Sequence, residues 1–556
     1  MLRTVKSFMV SLSVLVLLLS AGIPLGFAQR VDGSLGGVVT DTTRATVTGA
    51  EVKALDEATG ATFNTVTSSV GTYLFPNLLV GRYTVVVRQQ GFKRFELKNV
   101  QVQANQVAEA NATLEVGDIT IAITVVGGGE LISTASSQVG GSVERQAVLQ
   151  LPNPVIGGSP LNLALTFPHV SSQAGGVLGE GGSVGGARPR QNSFTIDGVD
   201  NNDVSVTGSL QPVIQDSVAE FNLLTNQFNA EFGHSTAGQF NIITKSGTNE
   251  LHGSAFYYGQ TRNLNANDNL VNNAINRGVI AGKPRFDHNR VGGILGGPIR
   301  KNKFFLFGAY EFQNLGRAAT GVTILAPTQS GMTALNALAA NGEVRNLLVQ
   351  MPVAPFATRS VVVNAQTVPI GPFQAFAPDY LNRNDYQINA DANLGSHQLR
   401  GRWLSDRYRA PNVNLALPLP QFAGIFSQDS RKIAFTDVWT LSPRLVNDFR
   451  SSYSRFVQAL SVPAQFAGFP NVGIDELGMS YGPELSSPQG RWQNVYQWMD
   501  TLHYSSGRHQ FMAGAEFRRW IAPQDFLQRS RGEWDYANLS ELINDLIPSG
   551  LNGALR

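Results

Sequence analysis

Through the second half of the chain, apolar and polar residues alternate. Tyr386, Ile388, Ala390, Ala392 and Leu394 fall on one face, and Asp385, Gln387, Asn389, Asp391 and Asn393 on the other, because successive side chains of an extended strand point to opposite sides. Gly395-Ser396 then turns the chain, and Leu399, Gly401 and Trp403 alternate with Arg400 and Arg402 on the return. The pattern recurs over Lys303–Gln313 and Arg508–Trp520. An apolar face backed by a polar one, in strands joined by short turns on one side and long loops on the other, predicts an antiparallel transmembrane β-barrel. A soluble sandwich alternates too. The aromatics favour the barrel: Phe304, Phe305, Phe307, Tyr310 and Phe312, like Trp492, Tyr496 and Trp498, are concentrated in the strands, as girdles at a membrane interface require.

Closer to the start the rhythm is different. From Asp32 to about Gly117 short alternating strands are punctuated by Gly49, Gly60, Gly71, Gly81 and Gly91, the pattern of an all-β sandwich. Next comes DITIAITVVGGG, an extended apolar-alternating run ending in three glycines. Further on, Phe194, Thr195 and Ile196 form a short strand that ends in Asp197-Gly198, a dipeptide suited to positive φ and a tight hairpin turn. Gly238–Thr244 alternates again and stops at the turn formers Lys245–Asn249, which read as a domain boundary. The long stretches Gly316–Pro378, Ala410–Asp429 and Val462–Gly490 are rich in Pro, Ala and Gly and are expected to be extracellular loops suited to ligand capture.

The chain's first apolar run, Phe8–Leu19, follows the basic Arg3 and Lys6 and precedes Gly26-Phe27-Ala28. It is too short for the roughly 20 residues that span a bilayer and has the form of a secretory signal peptide, with cleavage expected after Ala28. With 57 Gly and no later long apolar run, any membrane crossing falls to strands. The absence of Cys removes disulfides, thiolate zinc sites and thiol catalysis. A net charge of +2 without a basic run gives no grip on nucleic acid.

Three motifs in order, F-x-I-D-G-V-D, A-E-F-G-H-S-x-x-G-Q and T-K-S-G-T-N-x-x-H-G, resemble the end of the plug in TonB-dependent outer-membrane transporters, in the Oar-like subfamily. GTYLFPNLLVGRYTVVVRQQGF resembles the carboxypeptidase regulatory-like domain, with Tyr73 and Tyr83 as expected core aromatics. QVGGSVERQAVLQLP and LNLALTFPHV resemble the plug's opening strand and its two helices, although Asn153–Gly158 replaces the usual Asn-Gly-Arg loop and His169 a usual glycine. The resemblance implies a mostly β chain: an Ig-like or transthyretin-like sandwich, a small α+β plug, and a partial barrel of about 10 of the about 22 strands of a plugged transporter. The divisions are 1–28 signal peptide, 29–117 sandwich, 118–129 linker, 130–249 plug and 250–556 barrel. A chain with that strand count is expected to continue beyond Arg556, or else to be unable to insert as a stable pore.

Site expectations follow from the same resemblance. Ile121, Ile123, Thr124 and Val125 fall where the family's Ton box would lie, ready to add as a strand to a partner's sheet edge; the same run also reads as the sandwich's last strand. Arg188, Arg190, Asn192, Asp197, Gly198 and Asp200 mark the plug motif. Arg188 or Arg190 is expected to pair with a barrel carboxylate, Glu311 or Glu516, since charge-assisted bonds can hold a plug and still release it stepwise. Asp197, Asp200 and Asp203 lack the terminal Glu of a calcium loop and read as turn residues, and the seven His are scattered. No metal, cofactor or catalytic set is expected. The implied function is non-catalytic uptake of a bulky carbohydrate or siderophore-like ligand, with a TonB-type inner-membrane energy transducer and the outer-membrane bilayer as partners and no nucleic acid. The alternative is a surface glycan-binding or adhesion protein that the barrel only anchors.

Overall fold

The structure, a computed structural model, describes residues 32–118, 122–126, 138–150, 160–172, 180–229, 231–233, 235–267, 269–276, 282–317, 322–506 and 509–546. The expected signal peptide and its cleavage site lie outside these residues.

Two sheets make the N-terminal sandwich. One orders Thr72–Leu78, Gly33–Asp41 and Val107–Glu109, with Ala112–Leu114 also pairing to the Gly33–Asp41 strand; the other orders Thr62–Val66, Glu51–Asp56, Gly81–Arg88, Arg94–Val102 and Ala122–Val126. Their inward faces form one core around Leu35, Val52, Tyr73, Tyr83, Val85 and Leu114. All six aromatics of residues 32–118, Phe63, Tyr73, Phe75, Tyr83, Phe92 and Phe95, lie in that core or against it.

The next unit is a five-stranded sheet, ordered Val139–Glu144, Val218–Asn226, Gln239–Thr244, Ser193–Ile196 and Val199–Asp200. The helix Arg145–Gln150 and the 3-10 turn Pro160–Thr166 accompany it. Its core packs Phe194, Phe221 and Phe240, the Phe240 ring lying 5.1 Å from that of Phe194 and 6.2 Å from that of Phe221. The Ile196–Val199 hairpin turns on Asp197 at φ 49° and Gly198 at φ 78°. Both central residues sit in the left-handed region that this two-residue turn demands.

Nine long antiparallel strands follow, in sheet order and chain order alike: His252–Thr261, Phe286–Arg300, Phe304–Arg317, Tyr380–Leu394, His397–Asn412, Gly424–Ser442, Leu445–Leu460, Gln489–Ser506 and His509–Ile521. Up-and-down connection is the register that short hairpins produce, and turns such as Gly395-Ser396 supply them. The end strands do not pair with each other among the described residues, so the sheet is open. Asp385, Gln387 and Asn389 are buried on the inner face while Ile388, Phe435, Trp498 and Phe517 are exposed on the outer one. The alternation thus places polar residues inward and apolar ones toward lipid. Two aromatics assigned to the girdle belong elsewhere: Phe305 and Phe307 are buried on the inner face, because a period of two puts them opposite Phe304 and Leu306.

The expected count of about 10 strands is borne out by a ten-stranded sheet, and one later strand lies outside it. The strand Glu533–Tyr536 pairs in parallel with Asn471–Ile474 and lies outside the ten-stranded sheet. The sheet's tenth member is instead the short Gln524–Asp525, which pairs with Gln489–Ser506. The expected loops also differ from open chain. Strands Val322–Pro327, Arg359–Val363 and Gln366–Ala375, helices Gln329–Leu338, Gly342–Val349 and Leu539–Ile543, and strands Asn471–Ile474 and Glu533–Tyr536 share a single core with Leu417, Leu419 and Phe422. They form a folded cap on the side of the long connections.

Candidate functional site at the seam between plug and sheet

The Asp197–Asp203 turn lies against the inner face of the curved sheet, and its carboxylates meet arginines from three different strands. Arg402 Nε is 3.3 Å from Asp197 Oδ2, and its Nη1 is 2.8 Å from Asp391 on the neighbouring strand. Arg518 Nη1 donates to Asp200 Oδ1 at 2.8 Å, and Arg491 Nη1 to Asp203 Oδ2 at 2.6 Å. Lys432, 1% exposed, donates through Nζ to the Asp200 carbonyl. Amide side chains complete the seam. Gln497 Oε1 accepts from Asp200 N at 2.9 Å, and Gln493 Nε2 donates to the Asn202 carbonyl at 3.0 Å. Farther round, Ser217 Oγ donates to Gln387 at 2.7 Å and Asn389 Nδ2 to Thr244 Oγ1 at 2.9 Å. Tyr258 OH, from the first strand, donates to Asp216 at 3.2 Å. Contacts at both the first and the last long strand mean that the sheet wraps the plug.

Local chemistry fixes the turn before the sheet touches it. Asp197 accepts from Thr244 N at 2.8 Å and Thr244 Oγ1 at 2.6 Å, and Asn202 Oδ1 accepts from Phe194 N at 3.0 Å. Asn192 holds the strand's entry by donating to the carbonyls of Glu180 at 2.8 Å and Gly182 at 3.0 Å. Apolar contact across the seam is limited to small groups: Leu404 in the plug core, Ile214 against Ile294, Phe307 and Ala309, and Leu210 against Phe456 and Val495. Buried charges stay ionised only when partnered, so the seam requires each carboxylate to be met.

The expected kind of contact is therefore present with the signs reversed: acids stand on the plug and bases on the wall. Arg188 and Arg190 are exposed, beside the 3-10 turn Pro189–Gln191, and no ion pair joins either to Glu311 or Glu516 among the described residues. Glu311 pairs with Arg290 at 2.8 Å on the adjacent strand. Glu516 accepts from Gln497 Nε2 at 2.9 Å and from Arg518 Nε at 2.6 Å, steadying the arginine that reaches Asp200. The aspartates read as turn residues do both jobs. The missed cations carried a signal in the sequence, since Arg402, Lys432 and Arg518 occupy positions whose alternating neighbours face inward.

Ile121 lies outside the described residues. Ala122–Val126 runs parallel to Arg94–Val102 at the edge of the sandwich sheet, with Ile123 opposite Phe95, Thr124 opposite Glu96 and Val125 opposite Leu97. A cavity of about 640 Å³ opens at the ends of the long strands beside their connections, lined among others by Arg317, Asp379, Tyr408, Asn412, Leu415 and Phe426. Its size is that of a small-molecule site.

Residues 243–545 match the family of outer membrane beta barrel domains, and residues 34–115 the carboxypeptidase regulatory-like domain. The first match covers more than half of the chain, which belongs to the outer membrane beta barrel domain family and to the outer membrane. A homologue is the TonB-dependent transporter Oar of Myxococcus xanthus, 27% identical over 248 residues, or 44% of this chain and 23% of the relative. Among solved structures, the outer membrane transporter YddB of Escherichia coli is 14% identical, with a TM-score of 0.48 over 71% of this chain and 50% of that one. The ferric enterobactin receptor PfeA of Pseudomonas aeruginosa is 12% identical, with a TM-score of 0.39 over 70% and 59%. The siderophore receptor PirA of Acinetobacter baumannii is 13% identical, with a TM-score of 0.35 over 69% and 57%. The match thus spans under a quarter of the curated relative and between half and three-fifths of the solved chains. These relatives are transporters and receptors, not enzymes.

Proposed function

We propose that the chain is an energy-coupled outer-membrane receptor and transporter, in which a plug blocks the lumen until a TonB-type inner-membrane protein displaces it. The observation that carries this is the seam: the plug is held by hydrogen-bonded charges and amides, with apolar contact confined to small groups. Polar contacts can exchange for water one at a time, whereas an extended apolar interface has no such stepwise route. The ligand is a bulky carbohydrate or a siderophore-like molecule, and the cavity at the strand ends, with Tyr408, Phe426 and Arg317, is where it would be captured. Energy enters through the segment of Ile123, Thr124 and Val125, whose strand Ala122–Val126 would leave the sandwich edge and add to the partner's sheet.

The test needs no ligand. The periplasmic domain of a TonB-type protein from the same cell is immobilised and binding of the purified chain is measured. Binding that is lost in Ile123→Pro, which removes a donor from the pairing strand, supports the reading. Equal binding by both proteins moves the contact elsewhere, and no binding by either removes the energy-coupled reading.

A further inference from the structure

The sandwich meets the sheet on the side of the short turns. Asn249, ending the plug, donates to the Ala58 carbonyl at 2.9 Å and to Asn302 Oδ1, in the turn before Phe304, at 2.7 Å. Thr65 Oγ1 donates to the carbonyl of Pro443, in another of these turns, at 2.9 Å. Asp32, at the start of the sandwich, reaches the inner wall. Its Oδ1 accepts from Arg400 Nη1 at 2.9 Å and its Oδ2 from Arg450 Nη2 at 2.8 Å, with all three side chains buried. Arg400 and Arg450 stand on strands separated by Gly424–Ser442, so one carboxylate clamps two members of the wall. Asn77 adds a bond to Asp448 Oδ2 at 3.1 Å, and Asp448 in turn holds Arg450.

The same domain also grips the plug. Ala104 N donates to Glu220 Oε1 at 3.0 Å, Asn105 Nδ2 to Asn222 Oδ1 at 2.8 Å, and Asn222 Nδ2 to the Ala104 carbonyl at 3.3 Å. Glu220 and Asn222 belong to the plug strand Val218–Asn226, second in its sheet. The loop from Gln103 to Asn105 thus lies against the plug while Asp32 and Asn77 are fixed to the wall.

From this geometry we infer that the sandwich is a second gate, clamped across the periplasmic mouth by Asp32 between Arg400 and Arg450, and that the plug strand Val218–Asn226 is released only after the sandwich lets go. Burying the Asp32 carboxylate against the wall adds nothing that the sandwich fold needs, since its own sheets and apolar core hold it together. The clamp's effect is on position. A carboxylate between two guanidiniums is strong while dry and weak once water enters, which suits a contact that must hold and then open. The inference rests on the plug having to move, but its test reads the coupling of sandwich to plug without transport, ligand or energy transducer.

Hydrogen exchange of the full chain in detergent or vesicles is followed at three places: the sandwich strand Gly33–Asp41, the plug strand Val218–Asn226 and the cap strand Val322–Pro327. Asp32→Asn takes the carboxylate from buried Arg400 and leaves buried Arg450 with Asp448 alone, and exchange in the plug strand is expected to rise roughly tenfold while the cap strand is unchanged. A chain without Cys also permits a clean cross-link: Asn77→Cys with Asp448→Cys joins sandwich to wall, and plug-strand exchange should slow when the bond forms and recover on reduction. An Asp32→Asn effect confined to the sandwich strand, or one equal in plug and cap, would overturn the gate. So would a plug strand that exchanges equally with the bond formed and reduced, and this comparison stands even if Asp32→Asn does not fold.

Discussion

Arg518 and Asp200 meet at 2.8 Å although 318 positions separate them in the chain, and both side chains are buried. Glu516, itself held by Gln497, holds the arginine from the wall, while Lys432 holds the Asp200 carbonyl from the strand Gly424–Ser442. Asp200→Asn should therefore cost about 2 kcal/mol of plug seating, because it removes a charge-assisted bond and leaves Arg518 with Glu516 as its one anion. Equilibrium unfolding in detergent, followed by exchange in Ser193–Asp200, measures it. In a double-mutant cycle with Arg518→Gln the two losses should fail to add by about 1 kcal/mol or more; strict additivity would mean that the pair is not coupled.

Gly198 at φ 78° closes the hairpin that presents Asp197 and Asp200. A side chain there strains the left-handed backbone, and Gly198→Ala should lose roughly 1–2 kcal/mol. The loss should show in the plug and leave the cap untouched, as differential proteolysis of the two regions would reveal.

Phe307 is 3% exposed and packs against Ile214 of the plug, whereas its neighbour Leu306 faces outward at 43%. Phe307→Ala is expected to cost about 3–4 kcal/mol and to loosen the plug. Leu306→Ala should change lipid contact and leave plug exchange as it was. Equal effects of the two on plug exchange would contradict the inward placement of Phe307.

Burial raises the Glu220 carboxyl to about 7, with the like charge of Glu144 adding to the rise and the bonds from Ser142 and Ala104 opposing it. Once the sandwich leaves, the group returns toward its ordinary value of about 4.3. The docked state therefore holds a proton that the separated state releases. Docking receives this support in full below about pH 4.3 and loses it as pH rises through about 7, a span worth on the order of 3 kcal/mol. Between pH 5 and 8 exchange at Ala104 and Val218–Asn226 should accelerate beyond its intrinsic pH dependence, and Glu220→Gln should flatten the excess. An identical slope in the variant would show that another group titrates.

What the sequence alone determined was local. The pleat sends alternate side chains to opposite faces, so the two faces of Asp385–Leu394 could be read from ten consecutive residues, as could the Asp197-Gly198 turn from its positive-φ chemistry. The helices of the cap had local marks as well: Thr328 and Asn341 accept from Gly331 N and Val344 N as N-caps. Those marks were outweighed by the Pro, Ala and Gly content of the surrounding stretch. Partner choice was not local. Which acid meets which base depends on how far each strand is displaced along its neighbour and how the sheet curves around the plug. A carboxylate such as Glu311, whose charge looks available in the sequence, is already claimed by Arg290 across one strand spacing. The same holds for Glu533–Tyr536, whose pattern suits a barrel strand but whose pairing was decided by the nearer edge at Asn471–Ile474. Strand edges are interchangeable in their backbone hydrogen bonds, so only the assembled structure selects among them.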